Sequence, residues 1–358
     1  MRKPCQFFGT LFLAEIQGFA WMSGPGKKRR NRYARPLGDK IAGSFMPERT
    51  SLRAGPLSYI IEMKGELVFM DNRTFPLLLA ASALLLSGTA AQAAPRTDLA
   101  PHKAIYNIKM TAKKSGSPVL NISGEMYFEL KAGCEAWTTD HRFNLNYEYA
   151  DSPPMLITSD FTTYEPYDGK TLDFNSRRHR NNELFEEMRG QAKMDGEKGG
   201  AALYTMPADL RFNLPPGALY PMAHTAALRE QVKAGKKFFS AVVFDGSDED
   251  GPAEINAFVG KKVDTADLIA PGKDIDPALI KVPAHSLRMA FFPLSAGESS
   301  AEYEMSAVFH ENGIISDMTV EYKEFTVHQA LKALQSVPPE DCAAANTEKK
   351  PKAGKTTP

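Results

Sequence analysis

From Lys103 onward, apolar and polar side chains alternate with a period of two. Ala104, Tyr106, Ile108 and Met110 interleave with Lys103, Asn107 and Lys109, broken only by Ile105. That pattern predicts a half-buried strand. Val119–Leu130 is a second β-rich run after the Lys-Lys-Ser-Gly-Ser-Pro turn at 113–118. In Ala136–Tyr149, the residues Trp137, Phe143, Leu145, Tyr147 and Tyr149 fall mainly two apart. Met155–Tyr164, Thr171–His179 and Glu183–Met194 repeat the theme, separated by Pro153-Pro154, Asp168-Gly169 and Asn181-Asn182. The last two are pairs that hairpin turns use. Connections this short force neighbouring strands to run antiparallel, so the first half of the domain reads as a meander.

The pattern changes at Leu214-Pro215-Pro216-Gly217, a rigid break. Pro221–Ala234 then reads as a helix, with Thr225 or His224 near its N-cap and Leu228 and Val232 on a short apolar face. Gly235 follows where a C-terminal glycine belongs. Strands resume at Lys237–Phe244, Glu254–Val263, Ser286–Leu294, Ala301–His310 and Ile314–Phe325, with Glu311-Asn312-Gly313 as a tight hairpin between the last two. After Phe325 a short helix-like patch ends near Pro338. About a dozen strands and one helix predict a mainly β fold. No repeat of twenty to fifty residues argues for a propeller or solenoid. A meander this long must curl to hide its apolar face. The expectation is a single large, strongly bent, barrel-like antiparallel sheet with its concave side over the helix.

Upstream, Phe75–Leu86 (FPLLLAASALLL) is an apolar run too short to span a bilayer comfortably. Arg73 precedes it, and small residues lead to Ala91-Gln92-Ala93, with Ala91 and Ala93 at the −3 and −1 positions of a signal-peptidase site. That order predicts a secretory signal peptide over 70–93. About seventy residues stand before it, and Met70 or Met63 would make a conventional start. Residues 1–69 therefore read as an upstream start-site artefact or a disordered prefix, 94–343 as the folded domain and 344–358 as a disordered tail. The chain of 358 residues has no net charge because two unlike segments cancel. Residues 1–69 hold 12 Lys/Arg and 5 Asp/Glu, leaving 31 against 38 for the rest. The basic run Lys27-Lys28-Arg29-Arg30 falls in the prefix, so the exported part is mildly acidic and nucleic acid is an unfavoured partner. The exported chain is expected to be a monomer.

Two cysteines remain beyond Cys5, namely Cys134 and Cys342. Exported thiols tend to pair, and a bridge closing a loop this long would contribute about 5 kcal/mol at most. Two buried free thiols are the alternative. Candidate chemistry is sparse. His141, His179, His224, His285, His310 and His328 lie in different segments, without metal-ligand spacing. His224 stands out because it begins the only clear helix, and a structural cap is the favoured role. Asp245-Gly246-Ser247-Asp248-Glu249-Asp250-Gly251 has carboxylates for calcium. It puts Asn256 where a calcium-binding loop needs its twelfth-position Glu, so it reads as a solvated loop tip. Tyr147, Tyr149, Tyr164, Tyr167 and Phe174 are candidates to line a ligand groove, with sheet packing as their default. No nucleophile elbow, phosphate loop or dinucleotide fingerprint is present. No catalytic, cofactor-binding or metal-ligating residue is expected.

Several separated motifs nonetheless resemble the EipB family. They are Leu99-Ala100-Pro101-His102-Lys103-Ala104-Ile105-Tyr106, Gly133-Cys134 with Trp137, the passage 214–225, Val243-Phe244-Asp245-Gly246, and Asp341-Cys342. They occur in order and span nearly the whole exported chain. The basic prefix departs from the family. The resemblance implies a β-spiral holding a helix and a disulfide between Cys134 and Cys342. It also implies a periplasmic, non-enzymatic role in envelope integrity under stress in Gram-negative bacteria. Partners would be periplasmic proteins, tetratricopeptide-repeat proteins among them. Two alternatives stand beside that role: a carrier holding a lipid or lipoprotein acyl chain in the concave sheet, and a hydrolase with a dispersed site.

Overall fold

A computed structural model describes residues 99–265, 274–295, 300–340 and 342. The prefix, the signal segment with Ala91 and Ala93, and the tail from 343 lie outside them. Among the described residues, fourteen strands form one antiparallel sheet. The first arm comprises β1 (His102–Lys113), β2 (Val119–Ala132), β3 (Ala136–Tyr149), β4 (Met155–Pro166), β5 (Thr171–Arg180), β6 (Glu183–Met194), β7 (Gly200–Met206) and β8 (Arg211–Leu214). Helix α1 (Pro221–Lys233) follows. The second arm comprises β9 (Phe238–Val243), β10 (Ala253–Val263), β11 (Ala284–Pro293), β12 (Tyr303–His310), β13 (Ile315–Glu321) and β14 (Phe325–Ser336), with a one-turn helix α2 (Pro277–Ile280) before β11.

The strand order is β8-β7-β6-β5-β4-β3-β2-β1-β14-β13-β12-β11-β10-β9. Each arm is a meander, and the two meet where β1 pairs with β14 in mid-sheet, from His102↔Ser336 to Lys113↔Phe325. The sheet does not close. Its edges are β8 and β9, consecutive in sequence, and the connection between them carries α1.

Local chemistry fixes the hairpins. Asn181 and Asn182 both take left-handed backbone (φ 49° and 70°), as a two-residue turn between β5 and β6 demands. In β3 and β4 the inward positions alternate with exposed ones almost without a break. Helix α1 begins with Pro221, whose missing N–H costs nothing at a first turn. It ends at Gly235, where φ is 72°. There the Gly235 N–H donates to Val232 O (3.0 Å) and the Lys236 N–H to Gln231 O (3.0 Å), a Schellman termination that needs left-handed backbone at the glycine.

Most of the apolar side chains pack into one core, in which Met222, Ala226, Leu228 and Val232 of α1 meet Tyr106, Met126, Leu145, Ile255, Met305 and Val320 of the sheet. A smaller core under β4–β8 contains Phe161, Leu172, Phe174, Met188, Tyr204 and Phe244.

Three elements differ from the sequence reading. The helix-like patch after Phe325 is strand β14. Ala330, Leu331, Ala333 and Leu334 favour helix in isolation, but β1 and β13 offer unpaired backbone on both sides and tertiary pairing overrides that preference. Strands β7 and β8 were not anticipated, because Gly200-Ala201-Ala202 and a four-residue run carry little periodicity. Finally, Ile314–Phe325 is not one strand: β13 stops at Glu321 and β14 starts at Phe325.

Cys134, in the β2–β3 turn, is bonded to Cys342, just beyond β14, with their Cα atoms 5.4 Å apart. Since β1 lies between β2 and β14, the bond staples the last strand to the first arm across β1. The Cys134 N–H also donates to Glu340 Oε2 (3.3 Å), and the Tyr167 hydroxyl to Gly133 O (2.6 Å). Reduction, or Cys134→Ser, is expected to remove about 2–5 kcal/mol of stability. Thermal melts of oxidised, reduced and substituted protein check this, and coincident melts would contradict it.

Candidate functional site

The inner face of the sheet, where α1 lies, collects the buried polar groups. Along β4, Met155, Ile157, Ser159, Phe161 and Thr163 point inward, and in the same phase stands Glu165, fully buried. Its carboxylate accepts hydrogen bonds from the Met222 N–H (2.8 Å, Oε2) and the Ala223 N–H (2.7 Å, Oε1). These are among the four donors that a helix start leaves unpaired. The N-cap is Tyr220, which offers no side-chain bond, so a carboxylate from a distant strand caps the helix and meets the positive end of its dipole. Burial pushes Glu165 up to about 7, while the two N–H bonds pull the other way.

His224 is not the cap the sequence suggested. Its backbone N–H donates to Tyr220 O (2.8 Å) as an ordinary helical bond. Its ring is 5% exposed and stacks on Phe239 with centroids 5.6 Å apart. Nε2 has no hydrogen-bond partner, and burial pushes the imidazole down to about 4.

The loop read as a solvated tip is largely buried. Asp245, Ser247 and Asp248 are each 2–3% exposed. The Ser247 hydroxyl lies 3.1 Å from both oxygens of Asp245 and 3.3 Å from Asp248 Oδ2, as a donor shared among them. Arg178, inward on β5, donates to Ser247 O (3.2 Å) and pairs with Glu186. The Tyr204 hydroxyl donates to Asp248 O (2.7 Å). Gly246 sits over the face of Phe174, and Gly251 lies against Phe212. The loop after β9 is thereby pressed onto β5–β8 and seals the gap between the two sheet edges. Burial, with Asp245 and Asp250 close by, holds Asp248 well above the usual carboxylate range. Sequence reading failed here because a run of acids normally seeks water, and no local pattern reveals that Arg178 and Tyr204 wait on the other arm.

The other singled-out residues disperse. His141 is wedged between Phe128 and Phe161 (4.6 and 5.9 Å). His285 faces Glu311 (3.3 Å), His310 bonds Ser316 Oγ (2.9 Å) and His328 bonds Asp317 (2.7 Å). His179 is partly buried on β5. Tyr147 is buried in the main core, which Tyr149 and Tyr167 flank, and Phe174 belongs to the smaller one, whereas Tyr164 is 41% exposed on the outside. These aromatics form no common groove. Among the described residues, no group of three or more His, Cys, Asp or Glu side chains converges as a metal site.

The family model described as EipB-like matches residues 93–338. The chain belongs to the EipB-like family. Over 250 residues it is 28% identical to the cell envelope integrity protein EipB of Brucella abortus (strain 2308), a match covering 68% of this chain and 87% of that one. Its fold resembles a crystal structure from Brucella abortus described as a beta-barrel-like protein of a domain of unknown function. The TM-score is 0.61 and the identity 26%, covering 68% of this chain and all of that one. The EipB-like match spans Glu165, α1 and the buried loop, so the carboxylate cap of the helix and the loop seam against the first arm lie within the family domain. Sequence reasoning missed Glu165 and Arg178 as site residues, although each is a charge in phase with the apolar face of its strand.

The pH dependence has two opposing parts. His102, His141 and His224 are pushed down by burial to about 4, 3 and 4. The unfolded chain therefore binds more protons below about 6.5, and this part of the stability falls as pH drops toward 4. Glu165 works in the other direction. Its folded value near 7 lies above its unfolded value of 4.5, so its contribution is full below 4.5 and is lost as pH rises through 7. Glu165→Gln is expected to remove that term. The stability difference between wild type and variant should shrink by roughly 2–3 kcal/mol from pH 4.5 to 7.5, measured by urea denaturation. A difference independent of pH would contradict the assignment. At the seam, Gly246→Ala is expected to cost about 2–4 kcal/mol, because φ is 77° and a Cβ would fall 2.3 Å from the Phe174 ring. A melt within one degree of wild type would contradict it.

Proposed function

We propose that this chain is an exported, non-enzymatic factor that maintains cell-envelope integrity under stress by engaging protein partners in the periplasm, tetratricopeptide-repeat proteins among the candidates. The observation that carries this reading is the match across almost the whole folded domain to a Brucella protein named for cell envelope integrity. The bonded Cys134–Cys342 pair supports an oxidising compartment, as does the signal-like segment at 70–93. Several buried polar groups have structural roles: Glu165 caps α1, and Arg178 and Tyr204 hold the loop after β9. The acyl-carrier alternative needs an open inner face. Here α1 occupies that face, and the cavity left beside His224 is about 40 Å³, room for a few waters rather than a lipid chain.

Deleting the gene is expected to sensitise cells to detergents and cell-wall antibiotics, with resistance restored by the intact gene. Periplasmic fractions should yield a protein whose N-terminus lies near Ala94. An unaltered barrier in the deletion strain would sink the reading, and recovery of the chain from the cytoplasm with both thiols free would sink the export part.

A further inference from the structure

The cavity beneath α1 is small and its lining is chemically uneven. Leu228, Phe291 and Phe309 make it apolar, His224 brings one imidazole, and Met289 and Met305 bring two thioethers. Sheet register places these groups together. Phe239, Ala257, Met289 and Met305 are successive cross-strand partners on β9, β10, β11 and β12, so they form one row across the inner face. His224 stacks on the Phe239 end of that row. The imidazole of His224 and the side chains of Met289 and Met305 line the same small cavity, with Ile255 of β10 beside them. Met289 and Met305 are directly opposite each other, which brings their Cβ atoms to roughly 5 Å.

We propose that His224 Nε2 and the thioether sulfurs of Met289 and Met305 form a binding site for a soft monovalent metal ion of the Cu(I) type. Nε2 is buried and has no protein partner, a costly state for a polar atom unless something else binds it. Thioethers are poor partners for hydrogen-bond donors and for hard cations, but they are good ligands for soft ones. Among the described residues no carboxylate lines the cavity, so these offer calcium, magnesium or a divalent transition metal no charge compensation, and the desolvation cost grows with the square of the ion's charge. A single positive charge on neutral donors is the least expensive occupant. At about 40 Å³ the void suits an ion rather than an organic ligand.

Ag(I) is the suitable probe because it needs no reductant and leaves the disulfide intact. The test uses the full chain carrying Cys5→Ser, oxidised at Cys134–Cys342 and labelled with methyl-¹³C methionine. One equivalent of Ag(I) is expected to shift the Met289 and Met305 methyl signals ahead of the other methionines. Met289→Leu and Met305→Leu nearly conserve volume and keep the core packed. Each should weaken Ag(I) binding at least tenfold by calorimetry, as should His224→Phe. Unmoved Met289 and Met305 signals would overturn the proposal, as would binding of equal strength in both leucine variants. The methyl shifts in the unsubstituted core decide the matter even if a variant folds poorly.

Discussion

A fourteen-stranded sheet that stays open has an apolar inner face and two bare edges, and here a single stretch of chain, residues 215–251, attends to all three. Its helix fills the inner face with Met222, Ala226, Leu228 and Val232. Leu219 pairs with the outer side of β9, donating to Val242 O (2.8 Å) and accepting from the Phe244 N–H (3.0 Å), so the edge is partly covered. The loop after β9 then reaches the β5–β8 side. Bare edges invite pairing with other chains, and the topology answers by making the two edges consecutive in sequence. The connection that must cross from one to the other becomes the filling.

Charge buried along this path is costly to desolvate, and such groups are weak evidence for added stability. Their arrangement here is directional. Glu165 accepts from two adjacent helix donors, which fixes where α1 starts relative to β4. Arg178 and Tyr204 reach backbone carbonyls of successive residues, Ser247 and Asp248, which fixes the loop against the first arm. Greasy contacts alone would allow both to slide. The polar contacts select one register, at the cost of holding Asp248 toward its neutral form.

The strands were legible where one face is solvated, because alternation then survives in the sequence, as in Ala136–Tyr149, which matches β3 residue for residue. Glu183–Met194 matches β6 with far weaker alternation, the Asn181-Asn182 turn marking its start. Helix α1 was legible through Pro221 and Gly235, whose backbone preferences are local. Legibility failed where the deciding partner is remote. β14 is a strand only because β1 and β13 flank it, and the acidic loop is buried only because the first arm supplies Arg178, Phe174 and Tyr204. Of the candidate site the sequence reading singled out His224 and the acidic loop, and it gave both other roles. Glu165 and Arg178 were passed over although each is a charge on the apolar phase of its strand, whereas the meeting of His224 with Met289 and Met305 depends on a strand register that no local sequence records.

The junction of β1 with β14 bears on how the chain comes to be folded. Sequence neighbours can zip up from β1 to β8 and α1 can dock on them as soon as it is made, yet β1 then still has one unpaired edge and the core still lacks the strands of the second arm. That edge waits for β14, residues 325–336. Any process that delivers this polypeptide from its N-terminus thus holds a sticky half-product until the last strand arrives. The sulfur bond joins Cys134 to Cys342, a residue beyond every strand, so its partner is delivered only after the whole sheet has been made.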